Sequence, residues 1–292
     1  MQPRRYGPFP YSPIIDRPPL RWPNGARLAV WVVPNIEFFP LDEIIGREEP
    51  IVPNIFPWAR RDYGNRIAVF RLMDALAKRN IRATVALNSE ICTEHPRIME
   101  RGMELQWEFM GHCESNCRPT NKLSQDDERK VIHDTLATIE KITGKRPRGW
   151  LGAGGSESWN TLESVAAEGV RYVADWINDD QPYVMEIGQP PLISIPYTGE
   201  INDAATIVRR NDTSELFARM IRRQFDVLYA EGAQTGKVMC IALHPYIIGV
   251  PHRIGDLTEA LDYVASHAGV WFATGSEIIE AYLQATGQQR KP

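Results

Sequence analysis

The stretch LAVWVVPNIEFF, residues 28–39, sets the expectation for the whole fold. Six apolar residues predict a buried strand, and Asn35 and Glu37 follow shortly after them. An acidic side chain at the end of a buried strand is costly unless it is paired or used in chemistry. Glu37 is therefore either an ordinary loop residue or part of a functional site, and this stretch alone favours neither.

The rest of the chain alternates short apolar runs with amphipathic stretches, which predicts an α/β fold with a mostly parallel sheet. Predicted strands span residues 28–33, 83–87, 107–110, 148–151, 172–174, 192–195, 238–243 and 270–273. Predicted helices span residues 65–79, 94–101, 124–143, 161–168, 214–231, 256–267 and 276–283. Seven or eight strands with interleaved helices favour a distorted (β/α) barrel over an open sheet.

The length of 292 residues suits one large domain, because (β/α) barrels reach this size. We expect an extended N-terminal arm over residues 1–25, where many of the 22 prolines disfavour helix. A single barrel is expected over residues 26–285 and a short tail over residues 286–292.

The composition argues against several classes of partner. A net charge of −4 with evenly spread Lys and Arg predicts no nucleic-acid surface, and no apolar run reaches the length of a membrane span. The first residues lack the apolar region of a secretory signal, so we expect a cytoplasmic protein. Four cysteines are too few for a disulfide framework and are expected to be thiols.

The residues with chemical potential follow predicted strands. His112 follows the third strand, a glycine-rich loop over residues 152–156 the fourth, Asp175 the fifth and His244 the seventh. In a barrel these strand ends meet at one face, so the side chains should converge.

Two of these stretches allow more than one interpretation. The glycine-rich loop contains Gly154, Gly155 and Ser156, whose N–H groups could bind a ligand or an oxyanion. Asp175, Asp179 and Asp180 repel one another unless a cation, a histidine or N–H donors lie nearby, and a solvated turn is the alternative.

Six motifs together resemble the polysaccharide deacetylase (NodB-like) superfamily, and within it the branch of allantoinases and cyclic imide hydrolases. They are PNIEFF (34–39), GHCESN (111–116), GWLGAGGSESWNT (149–161), ADWINDDQPY (174–183), IPYTGEIND (195–203) and LHPYIIGVPHR (243–253). The resemblance covers nearly the whole chain.

The resemblance implies a site that has lost most of its metal ligands. Metal-dependent members carry an Asp pair in the first motif and two histidines in the second. Here Glu37 matches the first acid, the base, while Phe38 replaces the metal-binding acid. His112 matches the first histidine, and Asn116 replaces the second. No cofactor is therefore expected; a single zinc ion held by Glu37, His112 and His244 is the alternative.

The implied function is hydrolysis of a C–N bond in a small cyclic amide, ureide or imide. Glu37 would activate water, His112 and the glycine-rich loop would polarise the carbonyl, and His244 would protonate the leaving nitrogen. Asp175 would orient a histidine or bind a substrate N–H, with Asp179 and Asp180 in support. The residues expected to bind substrate are Asn35, Asn116, Gly154, Gly155, Ser156, Asp175, Asp180 and Tyr197.

Other functions stay open at this point. One is a metal-dependent N-deacetylase of an amino sugar or glycan, and another is a non-catalytic small-molecule binding protein. Cys113 and Cys117 are expected to be packed thiols, with a zinc site or a nucleophilic Cys113 as alternatives. The arm and the resemblance suggest a homo-oligomer.

Overall fold

A computed structural model of the chain describes residues 5–46 and 48–288, and within them nine strands form one curled sheet. The strands are β1 (Leu28–Ile36), β2 (Thr84–Leu87), β3 (Glu108–Gly111), β4 (Gly149–Trp150), β5 (Tyr172–Val173), β6 (Tyr183–Val184), β7 (Ile193–Ser194), β8 (Lys237–Leu243) and β9 (Val270–Phe272). The order is β6-β7-β5-β4-β3-β2-β1-β8, with β9 also paired to β1. Only β6 and β7 pair antiparallel. The predicted distorted (β/α) barrel is confirmed.

Helices surround this sheet. They are α1 (Ile55–Tyr63), α2 (Val69–Ala77), α3 (Ile91–Glu94), α4 (Pro96–Glu104), α5 (Gln125–Thr143), α6 (Thr161–Ala167), α7 (Ser214–Glu231), α8 (Pro245–Ile248), α9 (Ile254–Ala265) and α10 (Gly275–Ala285). None of the helices in the described residues has the length and apolar character needed to span a membrane.

The central strand β1 is buried at every position, as a parallel strand covered on both faces should be. Alternate residues serve two cores: Val32 packs toward the surrounding helices, and Trp31 points into the barrel. β8 pairs with β1 along seven residues, whereas β2 pairs with its last two. The carboxyl ends of these strands therefore lie together, and so do the residues that follow them.

The N-terminal arm closes the barrel beside β8. The Leu20 carbonyl accepts a hydrogen bond from the Gly236 N–H at 2.9 Å, just before β8 begins. Trp22 is buried and donates its Nε1–H to the Lys237 carbonyl at 2.9 Å. Further out, Arg17 binds the carboxylate of Asp179. The arm thus crosses the barrel wall and forms part of its core.

The sequence pattern predicted which strands and helices exist better than it predicted their first and last residues. Each of the eight predicted strands overlaps an observed one, and α7 has the predicted bounds. α5 is capped as its sequence suggests, with Ser124 Oγ accepting the Asp127 N–H at 3.2 Å and Gly144 left-handed at its end. The short strand β6 was not predicted, because two residues are too few to show a period.

The predicted helix over residues 65–79 starts too late. The helical segment begins with α1 and continues through a π-helical turn at Gly64–Ala68 into α2. Pro57 is tolerated because it lies in the first turn of α1. Gly64 permits a close approach to α8, since a Cβ there would lie 2.7 Å from the Cβ of Tyr246.

Candidate active site

Glu37 lies at the centre of the candidate site, directly after β1. Its Oε1 atom accepts a hydrogen bond from Asn116 Nδ2 at 2.7 Å. The same oxygen lies 3.8 Å from His112 Nε2 and 3.6 Å from His244 Nε2. Asn65 donates a hydrogen bond to the Glu37 carbonyl at 2.9 Å and so fixes the backbone. The structure thus brings together the three predicted catalytic side chains and Asn116.

His112 directly follows β3, and the ring nitrogen that points away from Glu37 is hydrogen-bonded to the backbone. Its Nδ1 donates a hydrogen bond to the Leu151 carbonyl at 2.7 Å, across the sheet at the end of β4. Because a carbonyl can only accept, this contact places the hydrogen on Nδ1 and leaves Nε2 to face Glu37.

His244 directly follows β8 and is held by a buried aspartate. Asp203 Oδ1 lies 2.7 Å from His244 Nδ1, and its Oδ2 accepts the His244 backbone N–H at 2.8 Å. Asp203 has no exposed surface. Asp203 therefore orients the ring so that Nε2 faces Glu37.

The electrostatics of this cluster favour a charged pair. Burial raises the pKa of the Glu37 carboxyl, but the neighbouring His244 and His112 outweigh burial and lower the pKa to about 2. Burial likewise lowers the pKa of His244, whereas the Asp203 and Glu37 carboxylates raise it to about 10. At neutral pH Glu37 is a carboxylate and His244 is an imidazolium. The site therefore contains one proton acceptor and one proton donor.

Asn35 and Tyr197 lie beside this cluster and bind each other. Asn35 Nδ2 donates to the Tyr197 hydroxyl at 3.0 Å, and that hydroxyl lies 3.2 Å from Asn35 Oδ1. Asn35 Nδ2 also lies 3.4 Å from the Leu243 carbonyl, one residue before His244. Both residues predicted to bind substrate are therefore close to the catalytic side chains, with polar atoms already paired.

The glycine-rich loop does not present all of its N–H groups to the site. The Gly152 N–H donates to Asp175 Oδ1 at 2.9 Å, and the Ala153 N–H points to the Cys113 sulfur at 3.4 Å. Gly154 and Gly155 are exposed and left-handed. The first two amides are thus used inside the protein. Asp175 contacts the loop, whereas the aspartate that contacts the His244 ring is Asp203.

Asp180 contacts the start of β8 and lines the same cavity as Tyr197. Its carboxylate pairs with Lys237 at 3.4 Å, and its carbonyl accepts the Val238 N–H at 2.8 Å. Both partners lie in the first two residues of β8, opposite the end that carries His244. Asp180 is thus paired within the segment that lies next to the arm, and its role in substrate binding stays a prediction.

Cys113 is a packed thiol. It has no exposed surface and lies in a cluster with Ile132, Leu136 and Trp150. Burial raises the pKa of the Cys113 thiol to about 12, so the thiolate needed for nucleophilic attack is scarce at neutral pH. Cys113 sits at a left-handed φ of 61°, which turns the chain from His112 toward the rest of the loop.

The chain is similar to several known proteins. The sequence matches the family described as Polysaccharide deacetylase over residues 62–173. A Schizosaccharomyces pombe protein, provisionally described as a polysaccharide deacetylase, is 26% identical over 306 residues, which cover 93% of this chain and 94% of that protein.

Solved structures extend the likeness to the whole barrel. The crystal structure of PuuE allantoinase superposes with a TM-score of 0.84 at 26% identity, covering 92% of this chain and 94% of that one. A probable polysaccharide deacetylase from Pseudomonas aeruginosa PAO1 superposes with a TM-score of 0.82 at 28% identity, covering 92% and 95%. The chain is therefore similar to a polysaccharide deacetylase and to an allantoinase over nearly the whole barrel.

The residues at the positions where the resemblance implies metal ligands do not fit a divalent ion. Phe38 offers no donor atom and packs against the ring of His95 at 5.8 Å. Asn116 turns its amide nitrogen toward Glu37, and His244 carries a proton at neutral pH. Within residues 5–46 and 48–288, no group of three or more His, Cys, Asp or Glu side chains is arranged to hold a metal ion. Whether the protein works without metal stays a prediction.

Sequence patterns did not single out Asp203, Asn88 or Glu157. Asn88 donates to the His112 carbonyl and accepts the Phe38 N–H at 2.9 Å, so it links the residues that follow β1 and β3. Asn88 directly follows β2, so its position at a strand end is the signal that could have identified it. Asp203 and Glu157 both lie within the motifs that carry the resemblance.

Proposed function

We propose that the protein hydrolyses a C–N bond in a small cyclic amide, ureide or imide. The observation that carries this proposal is the burial of the catalytic side chains: Glu37, His112 and His244 are 8%, 2% and 7% exposed. A glycan chain needs an open groove, whereas a small ring can be enclosed in a pocket among these side chains. Enclosure also strengthens the electrostatic interactions in the site.

Glu37 is the proton acceptor in this mechanism. It takes a proton from a water molecule, and the hydroxide oxygen attacks the ring carbonyl carbon. The carbonyl π electrons move to oxygen, and the positive charge of His244 stabilises the resulting oxyanion. Asn116 holds Glu37 through its hydrogen bond to Oε1, and the unprotonated Nε2 of His112, 3.8 Å from the same oxygen, accepts a hydrogen bond from the attacking water.

His244 is the proton donor. When the tetrahedral intermediate collapses, the C–N bond breaks and the nitrogen takes the proton from His244 Nε2. The products are a carboxylic acid and an N–H group on the same opened ring, and the proton held by Glu37 returns to His244 or to solvent. Asp203 stabilises the imidazolium through its contact with Nδ1.

The low basicity of Glu37 is compatible with a ring substrate whose carbonyl is reactive. A carboxylate with a pKa near 2 is a poor proton acceptor. Imide and ureide carbonyls are more electrophilic than a simple acetamide, so they require less help from a strong base or a Lewis acid. The likeness to PuuE allantoinase, which is an allantoinase by its description, supports a ureide among the candidates.

An N-acetylated sugar is the second candidate substrate. The match to the Polysaccharide deacetylase family and the description of the Schizosaccharomyces pombe relative favour it. The burial of Glu37 and His244 opposes it for polymers, because a glycan chain needs an open groove.

The test is a hydrolysis screen with purified protein. The panel contains allantoin, hydantoin, dihydrouracil, succinimide, maleimide and N-acetylglucosamine oligomers, with Glu37→Gln as the inactive control. Hydrolysis of a ring by the wild type alone supports the proposal. Activity confined to the oligomers supports the deacetylase, and saturable binding of a ring without turnover supports a non-catalytic binding protein.

A further inference from the structure

A single peptide unit connects His112 to a pair of carboxyl groups behind it. His112 Nδ1 donates to the Leu151 carbonyl at 2.7 Å, and the N–H of the same peptide, on Gly152, donates to Asp175 Oδ1 at 2.9 Å. The two hydrogen bonds polarise the peptide in the same direction, because a negative charge at its N–H end makes its carbonyl a stronger acceptor.

Glycine at position 152 is required for this arrangement. A Cβ there would lie 2.2 Å from the Ser156 carbonyl oxygen and 3.2 Å from Asp175 Oδ1. Any larger residue would push the peptide away from Asp175 and disturb the carbonyl that holds His112. Glycine at this position therefore lets the Asp175 carboxylate reach the backbone N–H.

Glu157 lies directly against Asp175. Each of the two carboxyl groups acts on the pKa of the other, and Trp176 Nε1 donates to Glu157 Oε2 at 3.2 Å. While both groups are carboxylates, the buried atoms Glu157 Oε1 and Asp175 Oδ2 have no hydrogen-bond donor. One proton shared between these oxygens satisfies both of them.

We propose that Glu157 is a positioning residue: as a carboxylic acid it donates a hydrogen bond to Asp175, and through the Leu151–Gly152 peptide this pair holds His112 in its working orientation. The proposal deepens the proposed function, on which it rests for the role of His112. It requires Asp175 to stay an anion and Glu157 to keep its proton at neutral pH.

The electrostatic surroundings agree with this distribution of charge. Burial, and next the charge of Asp175, raise the pKa of Glu157 to about 9. Burial also raises the pKa of Asp175, to about 6, while the Gly152 N–H and the nearby His112 limit the rise. Two other charged groups lie near the pair: Glu128 of α5, which is bonded by Ser158 and Thr161, and Arg5, which lines the same cavity as Glu157.

The first experiment measures thermal unfolding between pH 5 and pH 8 for the wild type, Glu157→Gln and the control Glu186→Gln, which alters an exposed side chain. Folded Glu157 keeps its proton up to about pH 9, whereas an unfolded glutamate loses it near 4.5. Between these values the folded state binds more protons, so its stability falls as pH rises. Because Gln does not ionise, the stability of Glu157→Gln should not fall with pH for this reason.

We therefore expect the Tm of Glu157→Gln, relative to the wild type, to rise by at least about 3 °C from pH 5 to pH 8. The difference between Glu186→Gln and the wild type should stay constant. Parallel pH dependence of the wild type and Glu157→Gln would overturn the proposal, whether or not a substrate is found, because this readout needs no activity.

The second experiment observes the His112 Nδ1–H by NMR. Glu157→Gln keeps a donor toward Asp175 and should keep the signal protected from exchange with solvent. Glu157→Met fills similar space without a donor and should exchange at least about tenfold faster. Should Glu157→Met fail to fold, Glu157→Ala replaces it. Equal protection in the donor and the donor-free variants would show that Glu157 does not position His112.

Where an active substrate exists, the kinetics follow the same pattern. The donor-free variant should lower kcat by about tenfold with KM little changed, and Glu157→Gln should restore most of it. If no substrate is found, the kinetic test cannot be made, but the unfolding and NMR experiments still test the role of Glu157.

Discussion

His244 Nδ1 lies 2.7 Å from Oδ1 of Asp203, a side chain with no exposed surface. Asp203 also accepts the His244 backbone N–H, so one carboxylate fixes both the ring and the main chain at the end of β8. With Nδ1 occupied in this way, Nε2 is the atom that meets Glu37 and the substrate. The predictions below follow from this pair and from the cluster around Glu37.

Asp203→Asn should move the alkaline limb of the pH–rate profile. The Asp203 and Glu37 carboxylates raise the pKa of His244 to about 10, so the acid form persists up to that pH in the wild type. Removing one charge lowers the pKa of His244, and kcat/KM should begin to fall at lower pH. We expect a loss of about 10²- to 10⁴-fold near pH 8. An unchanged alkaline limb would show that Asp203 does not raise the pKa of His244.

Glu37→Gln should lower kcat by at least about a hundredfold with the fold preserved, because it keeps the shape of the side chain and removes the proton acceptor. Circular dichroism and unfolding temperature check the fold. Glu43→Gln, which changes a carboxylate paired with Arg118 at the surface, is the matched control and should keep its activity. Near-normal turnover by Glu37→Gln would remove Glu37 from the mechanism.

His244→Ala should impair good and poor leaving groups unequally. A leaving nitrogen that is already acidic needs less protonation, so the loss in kcat should be smaller for imides than for simple cyclic amides. The measurement is a plot of log kcat against leaving-group pKa, which should be steeper for the variant. The same slope in both proteins would contradict the role of His244 as acid.

Cys113→Ala should keep most of the activity, since the Cys113 thiol packs in an apolar cluster and burial raises its pKa to about 12. A thiol reagent applied to the native protein should label the half-buried Cys117 before Cys113, as peptide mass spectrometry can show. A covalent adduct on Cys113 during turnover would establish it as the nucleophile instead.

Metal removal should leave the activity essentially unchanged. Phe38 provides no ligand, and the polar atoms around Glu37 Oε1 are arranged as hydrogen-bond and charge partners. We expect well under one equivalent of zinc, nickel, manganese or cobalt by elemental analysis. Stoichiometric metal, with activity lost on chelation and restored by one ion, would show that Glu37, His112 and His244 form a metal site after all.

The sequence by itself determined the barrel and the centre of the candidate site. Buried apolar runs such as residues 28–33 are local signals, so the strands could be placed without the structure. Glu37, His112 and His244 each directly follow a parallel strand, and strand ends of one barrel meet at one face whatever the detailed packing.

The tertiary structure alone decided which buried charges are partners. Asp203 rather than Asp175 holds His244, Asp180 pairs with Lys237 at the far end of β8, and the charge of Asp175 acts on Glu157. These pairings join residues that are distant in the chain, and no local period marks them. The reason is that the energy of a buried ionisable group depends on its spatial neighbours and its desolvation, and both are defined only once the chain has folded.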